Sequence, residues 1–383
     1  MTNGQTYLTD LAYPARFHPE QAPIWLATTL TALGLAAPAL DGGRLCDIGC
    51  GSGFSTCLLA AANPGMQFVG LDVNPAHIHT ARELAAEADL GNIEFHLLDI
   101  GKGQPDLGVF QFMVAHGIFS WVPAQVRAAI LAFMGQSLAA DGVAYLHYMT
   151  QPGAAAFGAF QTILRQSARL APDGEEGVGL GLDLLHGLAQ ARAGFFVAHP
   201  AAASTLAHLR NEDPRYVAHE YLNETFDALH VADVMGAAAA AGLHLVGSAS
   251  PVENIDALSI PGSVLPIVRN TVDPALRETI KDMARNQALR MDLYMRNPQP
   301  LDAARHREAL RDIAVSLRPR APRLGTRIDT RIGPAELPGA VTEPVLDRLH
   351  EGPATVDDLM VAMPTIPPGL LNQVLHALMG ARI

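Results

Sequence analysis

The feature that most constrains this chain is an apolar run that ends in an acid and is followed by three glycines at alternate positions. It spans Leu45 to Phe54 and reads LCDIGCGSGF. The apolar run predicts a buried strand, the glycines predict a tight turn, and the pattern from Phe54 onward predicts a helix. Because glycine carries no Cβ, such a turn lets a nucleotide-like ligand lie directly against the backbone at the helix N-terminus.

The spacing of these glycines selects among nucleotide-like ligands. A dinucleotide fingerprint needs Gly-x-Gly-x-x-Gly, but the two available registers put Phe54 and Thr56 where the last glycine should stand. Asp47 instead precedes the first glycine, and its carboxylate would repel a pyrophosphate but suits a cationic ligand with an amino-acid group. The pattern resembles the S-adenosylmethionine (SAM) motif of class I methyltransferases, and a turn that binds nothing is the alternative at this point. The predicted ligand contacts here are Asp47, Gly49, Cys50, Gly51 and Gly53.

Two further apolar runs also end in acids. The run from Met66 ends at Asp72, and the run from Asn92 ends at Asp99. An acid at the end of the second strand accepts hydrogen bonds from ribose hydroxyl groups, and in class I methyltransferases an acid after the third strand usually faces the adenine amino group. Three consecutive strand ends with acids argue against a turn that binds nothing, so SAM is the predicted cofactor. The residues that follow the last two acids, Val73 and Ile100, complete the predicted cofactor site.

Strand and helix patterns alternate over residues 44–148, which predicts an open parallel sheet with helices on both faces. Asn74 is the predicted N-cap of one of these helices, with a proline at its first position. A helix, a glycine and a strand follow at residues 231–247, so the sheet is expected to finish near residue 250. The predicted fold class is α/β, a Rossmann-like doubly wound sheet with a helical insertion and a helical, winged-helix-like C-terminal region.

Breaks in this alternation divide the chain into three predicted domains. They are a methyltransferase domain at residues 1–250 with a helical insertion at 149–210, a helical regulatory region at 251–330, and a small winged-helix-like domain at 331–383. Asp173 to Gly194 is rich in glycine and is predicted to be a mobile loop. Pro274 to Arg296 is predicted to be the longest regular stretch of the helical region. Thr355 is a predicted helix N-cap in the last domain.

Ligands of such sheets bind beyond the carboxyl ends of the strands, so the segment from His116 to Pro123, after the fourth strand, is expected to face the site. His116 is a candidate base near an acceptor amine and a candidate part of the methionine pocket. A loop histidine with only a positional role is the alternative. Trp121 is expected either to wall the acceptor channel or to make an apolar contact that caps a helix.

Other candidate site residues lie further away in the sequence. Tyr7, Tyr13, Arg16 and His18 are expected either at the substrate mouth or in the packing of the first helix. Glu220 and Tyr221 could bind an incoming ammonium group at the rim, with an internal hydrogen-bonded pair as the alternative. The candidate catalytic residues are His116, Tyr13 and Tyr148, and the candidate substrate-binding residues are Trp121, Glu220 and Tyr221.

Composition limits the other classes of function. The net charge of −12 argues mildly against a broad nucleic-acid footprint, so no nucleic-acid partner is expected. The three cysteines, Cys46, Cys50 and Cys57, form no Cys-x-x-Cys pair, which predicts reduced thiols in a cytoplasmic protein and no metal site. Residues 1–10 show no secretory signal, and Ala237 to Ala241 is too short to span a bilayer.

Longer motifs identify a more specific resemblance. The segments Asp47 to Gly53, Asn74 to Ile78, Ala115 to Pro123 and His219 to Asn223 together resemble bacterial class I methyltransferases with a methyltransferase regulatory domain, a group that includes rickettsial protein lysine methyltransferases. The resemblance implies SAM binding, and it implies lysine methylation for some members. Lysine-modifying relatives tend to read Tyr-Asn-Thr-Tyr-Pro-Gly-Trp after strand five, whereas this chain reads YMTQPGA from Tyr148. The missing aromatic residues leave the acceptor undetermined.

The leading hypothesis is methyl transfer from SAM to a nitrogen nucleophile such as a protein lysine. The sulfonium methyl group is already activated, so placing a neutral nucleophile in line does most of the work, and a base is needed only if the acceptor arrives protonated. One alternative is an O- or N-methyltransferase of a small metabolite or saccharide. Another is a non-catalytic SAM-binding scaffold. The sequence leaves a homodimer open.

Overall fold

The computed structural model describes residues 16–103, 105–223, 225–322 and 327–383. The candidates Tyr7 and Tyr13 lie outside the described residues. Within the described ranges, no helix is both long and apolar enough to cross a membrane.

A seven-stranded sheet forms the centre of the described chain, in the order β3-β2-β1-β4-β5-β7-β6. Its first five strands pair in parallel, whereas β7 is antiparallel to both β5 and β6. The strands are β1 (Arg44–Ile48), β2 (Gln67–Asp72), β3 (Ile93–Leu97), β4 (Phe110–Ala115), β5 (Leu138–Met149), β6 (His244–Ser248) and β7 (Leu289–Met295). This confirms the predicted α/β fold class, because parallel strands joined by helices form a doubly wound sheet.

Helices cover both faces of the sheet and build two further units. Those around the sheet are α1 (Pro23–Ala32), α2 (Phe54–Ala62), α3 (Pro75–Glu87), α4 (Ala124–Ser137) and α10 (Val231–Ala240). A helical subdomain comprises α5 (Ala155–Ala168), α6 (Gly174–Gln190), α7 (Gly194–Ala198), α8 (Pro200–Leu209) and α9 (Pro214–Tyr221). Three further helices precede β7 in the chain, namely α11 (Asp256–Ser259), α12 (Leu265–Asn270) and α13 (Pro274–Arg285). Asn74 caps α3 as predicted, with its side chain accepting from the Ala76 amide.

The glycine-rich segment that was predicted to be a mobile loop is a helix, α6. Asp173 caps it, accepting a hydrogen bond from the Glu176 amide at 2.8 Å. A Cβ at Gly177 would lie 2.4 Å from the Ala168 Cα, and one at Gly181 would lie 2.8 Å from the Leu164 Cδ2. The prediction was wrong because these glycines serve close packing of α6 on α5, where a larger side chain does not fit.

The sheet does not finish near residue 250 as predicted. Its strand β7 comes from Leu289–Met295 and inserts between β5 and β6, so the predicted helical stretch Pro274 to Arg296 is a helix followed by a strand. Arg290 and Asp292 interrupt the apolar pattern of β7 although both are buried. A strand with two buried charges lacks the continuous apolar run by which central strands are recognised.

The last part of the chain forms a small unit with its own core. It contains α14 (Ala303–Arg311), β8 (Ala314–Val315), β9 (Arg327–Thr330), β10 (Gly333–Glu336), α15 (Gly339–His350), β11 (Ala354–Thr355), α16 (Val356–Ala362) and α17 (Pro368–Gly380). Thr355 caps α16 in a reciprocal capping box with Asp358, which confirms that prediction. The α17 side chain of Asn372 donates to the Ala32 carbonyl at the end of α1, so this unit contacts the methyltransferase sheet layer.

Candidate active site

The turn between β1 and α2 places a glycine loop at the carboxyl edge of the sheet. Gly49, Gly51 and Gly53 have φ values of 78°, 56° and 76°, in the left-handed region that favours glycine. A Cβ at Gly53 would lie 2.6 Å from the Ala81 Cβ, whereas a Cβ at Gly51 would meet no atom within 4 Å. Gly53 therefore holds α2 against α3, while Gly51 borders open space on the ligand side.

Two of the predicted acids lie beside this loop. Asp47 is 5% exposed, and its Oδ2 accepts a hydrogen bond from the Thr56 hydroxyl at 2.6 Å. The Asp72 carboxylate accepts from the Gly51 amide at 2.9 Å and from the Asn74 amide at 2.8 Å. Asp72 thus ties the glycine loop to the end of β2, as the register of parallel strands requires.

A pocket opens above the loop and brings together most of the predicted residues. Its lining comprises Arg16, His18, Gln21, Asp47, Gly49, Cys50, Gly51, Ser52, Phe54, Ser55, Asp72, His77, His116, Gly117, Trp121, Glu220 and Asn223. The glycine loop, the loop after β4 and helix α9 therefore share one cavity. Among the described residues, no group of three or more His, Cys, Asp or Glu side chains could hold a metal ion.

Packed imidazole rings lie at one wall of the pocket, with His18 and His116 in its lining and His147 packed against His116. The ring centroid of His116 lies 4.2 Å from that of His18 and 4.0 Å from that of His147. The His116 Nδ1 is 2.8 Å from the Tyr145 hydroxyl. Burial lowers the pKa of His116 well below its usual value and lowers that of His147 to about 3, so both rings are neutral near pH 7. Neutral rings place no positive charge beside a cationic cofactor.

Trp121 joins the loop after β4 to the helical subdomain. Its Nε1 donates to the Glu220 carbonyl at 3.2 Å, and its ring packs edge-on against Phe226 at 6.2 Å. Phe226 in turn stacks on Phe157 at 4.2 Å. This aromatic contact continues from the pocket into the helical subdomain, so Trp121 lines the pocket and also fixes α9 over it.

Two predicted site residues are corrected by the structure. Tyr148 is fully buried, and its hydroxyl donates to Asp292 Oδ2 at 2.6 Å on the β7 side of the sheet. It therefore cannot contact an acceptor. Tyr221 is 4% exposed and stacks on Phe157 at 4.1 Å, so it belongs to the core of the helical subdomain and not to the rim. Consecutive residues of a helix lie about 100° apart around its axis, which separates the side chains of Glu220 and Tyr221 on α9.

The remaining cofactor candidates lie near the pocket but not in its lining. Val73 is largely exposed and Ile100 packs into the core below α4. Asp99 Oδ1 accepts from the Gly101 amide at 3.0 Å, and its Oδ2 pairs with Lys102 at 3.1 Å. Val73 and Asp99 sit at the same carboxyl edge as Asp72, because β2 and β3 are parallel, and their contacts with the adenosine group stay predictions.

Several pocket residues were not among the predicted contacts. Gln21, His77 and Asn223 line the pocket, and His147 and Tyr145 support His116 from the buried strand β5. The two β5 residues lie in a continuously buried strand, where sequence patterns indicate core packing. The one sequence signal that could have identified these two residues is that they are polar side chains within an apolar run.

The pocket fits SAM on its own chemistry. An open backbone cradle at Gly51 lies beside two carboxylates, a combination that suits ribose hydroxyls and a cationic amino-acid end. When bound, the cofactor supplies an electrophilic methyl group on a sulfonium. The fold and this site together define a class I SAM-dependent methyltransferase.

Comparisons with known proteins agree with this class. Residues 40–165 match the family profile described as a methyltransferase domain, and residues 213–296 match one described as a predicted methyltransferase regulatory domain. The uncharacterised Synechocystis protein sll1526 is 30% identical over 364 residues, covering 94% of this chain and 72% of that protein. The chain therefore belongs to the family of methyltransferases with a predicted regulatory domain. The regulatory profile includes β6 and β7 of the sheet and starts well before the predicted boundary at residue 251.

Solved structures show the same fold. PKMT2 from Rickettsia typhi, solved in complex with AdoHcy, superposes with a TM-score of 0.72 at 20% identity, covering 96% of this chain and 74% of that chain.

A shorter sequence match is to a trans-aconitate 2-methyltransferase from Methylobacterium radiotolerans, which is 34% identical over 110 residues, or 28% of this chain and 39% of that enzyme. The cofactor is SAM, as the sequence predicts.

We expect SAM binding to weaken about tenfold when the pH falls from about 7.5 to about 5. Burial raises the pKa of Asp47 to about 6. The carboxylate that attracts a cationic ligand is present above this pKa, and at pH 5 only about one carboxyl in ten is ionised. Calorimetric titrations across this range test the expectation.

The control is Asp47→Asn, which removes this titration while the histidines of the pocket stay in place. It should bind SAM more weakly than the wild type near neutral pH and show a flatter profile. An equally steep profile in both proteins would assign the pH dependence to another group.

Proposed function

We propose that this methyltransferase transfers the methyl group to a nitrogen nucleophile, with a protein lysine side chain as the favoured acceptor. The observation that carries the proposal is the position of Glu220, which lines the cofactor pocket from helix α9. An anionic side chain on this wall attracts a protonated amine towards the site. The resemblance to rickettsial protein lysine methyltransferases supports lysine among the nitrogen acceptors.

The electrostatics around α9 support a cationic acceptor. Burial, and after it the charge of Glu220, raises the pKa of Tyr216 to about 12. On this wall an incoming ammonium would meet the negative charge of Glu220 beside Arg16, whose own charge is paired with Glu212 at 2.9 Å. The acceptor nitrogen must then lose its proton, because only a neutral amine has the lone pair that attacks the methyl carbon. The neutral His116 ring lines the same pocket and is our candidate for contact with that nitrogen.

A protein extract whose lysine side chains are blocked tests whether the methyl acceptor is a lysine. The enzyme is incubated with labelled-methyl SAM and a cell protein extract, either untreated or with its lysines acetylated beforehand. We expect label in the protein fraction of the untreated extract and loss of most of it after acetylation. Label that survives acetylation would exclude lysine, and label confined to the small-molecule fraction would favour a metabolite acceptor.

Replacing Glu220 by glutamine is expected to raise KM for the lysine acceptor about fivefold to tenfold, because a surface-near charge contributes about 1 kcal/mol to attraction of a cation. The affinity for SAM should stay within about twofold, since the side chain lies on the acceptor wall. Glu343→Gln, an exposed charge on α15, is the matched control. Equal KM values for the two variants would remove Glu220 from acceptor recognition.

A small-molecule acceptor is the second candidate, and one observation favours it. Arg16 lines the pocket, stacks over the Tyr216 ring at 4.0 Å and pairs with Glu212 at 2.9 Å. A guanidinium at the mouth would suit an anionic metabolite. The similarity to the trans-aconitate 2-methyltransferase covers only 28% of this chain, so it adds little support for this acceptor.

A further inference from the structure

A second cavity of about 610 Å³ lies between the sheet layer and the C-terminal unit. Helix α1 forms one side, and α17 with the segment around β8 forms the other. Its lining is mainly apolar and includes Phe17, Ile24, Trp25, Leu310, Val315 and Leu375. A volume of several hundred Å³ with apolar walls is typical of sites for small organic ligands.

The charged side chains of this lining are cationic. They are Arg318 and Arg382, and the described lining residues include no Asp or Glu. Arg318 Nη1 donates to the Arg382 carbonyl at 3.4 Å, whereas Arg382 Nη2 pairs with Glu20 Oε1 at 2.6 Å. The other oxygen of Glu20 is buried without a hydrogen-bond partner. An apolar molecule with one anionic group would match both the walls and the charge of this cavity.

A short segment separates the second cavity from the cofactor pocket. Phe17 and Pro19 face the second cavity, whereas Arg16, His18 and Gln21 face the cofactor pocket. His18 stacks on His116, as described above. Movement of Phe17 in response to a ligand would therefore move His18, because the two residues are adjacent in the chain.

We propose that this second cavity binds an apolar carboxylate of fatty-acid type, and that its occupancy changes the affinity of the cofactor pocket through residues 16–21. The ligand carboxylate would pair with Arg318 and compete with Glu20 for Arg382, and its chain would pack on Trp25 and Phe17. The binding part is independent of the proposed methyl acceptor. The coupling part requires SAM binding alone.

The two tryptophans of the chain provide separate probes. Trp25 lines the second cavity and Trp121 lines the cofactor pocket. In a Trp121→Phe variant, fluorescence comes from Trp25 only. We expect decanoate to change this fluorescence saturably, with a Kd below about 1 mM. No saturable change over that range would overturn the proposal.

Two variants separate the anionic site from general apolar binding. Arg318→Gln should weaken decanoate binding about fivefold, whereas Arg320→Gln, an exposed arginine outside the second cavity, should leave it unchanged. Decanol should bind more weakly than decanoate to the wild type, and this difference should be smaller in Arg318→Gln, where Arg382 remains. Equal effects of the two substitutions would overturn the assignment of the carboxylate to this cavity.

The coupling is measured as the Kd for SAM with and without saturating decanoate. We expect a change of about fivefold, which is reduced in Thr28→Phe, where the larger ring occupies part of the second cavity. An unchanged Kd while decanoate is bound would overturn the coupling.

Discussion

Asp72→Ala is expected to weaken SAM binding about a hundredfold. The Asp72 carboxylate lines the pocket with a side chain that is 12% exposed, and it is the predicted partner of the ribose hydroxyl groups. Each charge-assisted hydrogen bond contributes about 1.5–3 kcal/mol, and about 2.7 kcal/mol corresponds to two decades in Kd. The alanine also removes the acceptor of the Gly51 amide, so the glycine loop loses its tie to β2.

A second variant, Asp72→Asn, separates the contribution of the ribose contact from that of the Gly51 amide contact. Asp72→Asn keeps one oxygen that can accept from an amide but loses the negative charge, so we expect an intermediate loss of about tenfold. Glu87→Ala, an exposed acid at the end of α3, is the matched control and should bind SAM like the wild type. Calorimetric Kd values for the three variants test the series. An affinity of Asp72→Ala for SAM within about twofold of the wild type would contradict the assignment of Asp72 to the ribose hydroxyl groups.

The part of the site that the sequence predicts is the part built by local backbone chemistry. The glycine loop and the two acids follow from residues close together in the chain, because a tight turn after a buried strand needs positive φ at Gly49 and Gly51. The placement of Glu220 on the same pocket depends on how the helical subdomain packs. A tertiary contact across about a hundred residues, such as that between Trp121 and Glu220, leaves little trace in one sequence.

The sequence predictions that the structure corrects share a physical cause. Tyr148 and Tyr221 both look accessible in the sequence, yet both are buried. Asp292 accepts the Tyr148 hydroxyl, and Tyr221 stacks on Phe157. The glycines of α6 look flexible, yet they are small because α5 passes close to them. In each case the outcome depends on a partner from another element, such as β7 for Tyr148 and the preceding helix α5 for the glycines, so residue type alone cannot identify the role.

The buried charges of β7 connect the regulatory segment to the methyltransferase sheet. Arg290 donates from Nε to Asp292 at 2.8 Å, from Nη1 to Asp282 at 2.5 Å and from Nη2 to Glu278 at 2.9 Å. Asp292 also accepts from Tyr148 on β5. Burial raises the pKa of Asp282 to about 7 although Arg290 lowers it. Asp282 and Asp292 therefore share the Arg290 guanidinium, whereas Glu278 also pairs with Lys281 at 3.4 Å.

Arg290→Met is accordingly expected to lower the free energy of unfolding by about 3–5 kcal/mol, because it leaves buried carboxylates without their cation. Arg307→Met, an exposed arginine on α14, should change it by less than about 0.5 kcal/mol. Denaturant unfolding of both variants measures the difference. Without Arg290 the pKa values of Asp282 and Asp292 rise further, and protonation relieves the unbalanced charge, so the loss should be smaller at about pH 5 than at about pH 8. A loss below about 1 kcal/mol that is independent of pH would show that Tyr148, Tyr294 and backbone groups balance these acids without Arg290.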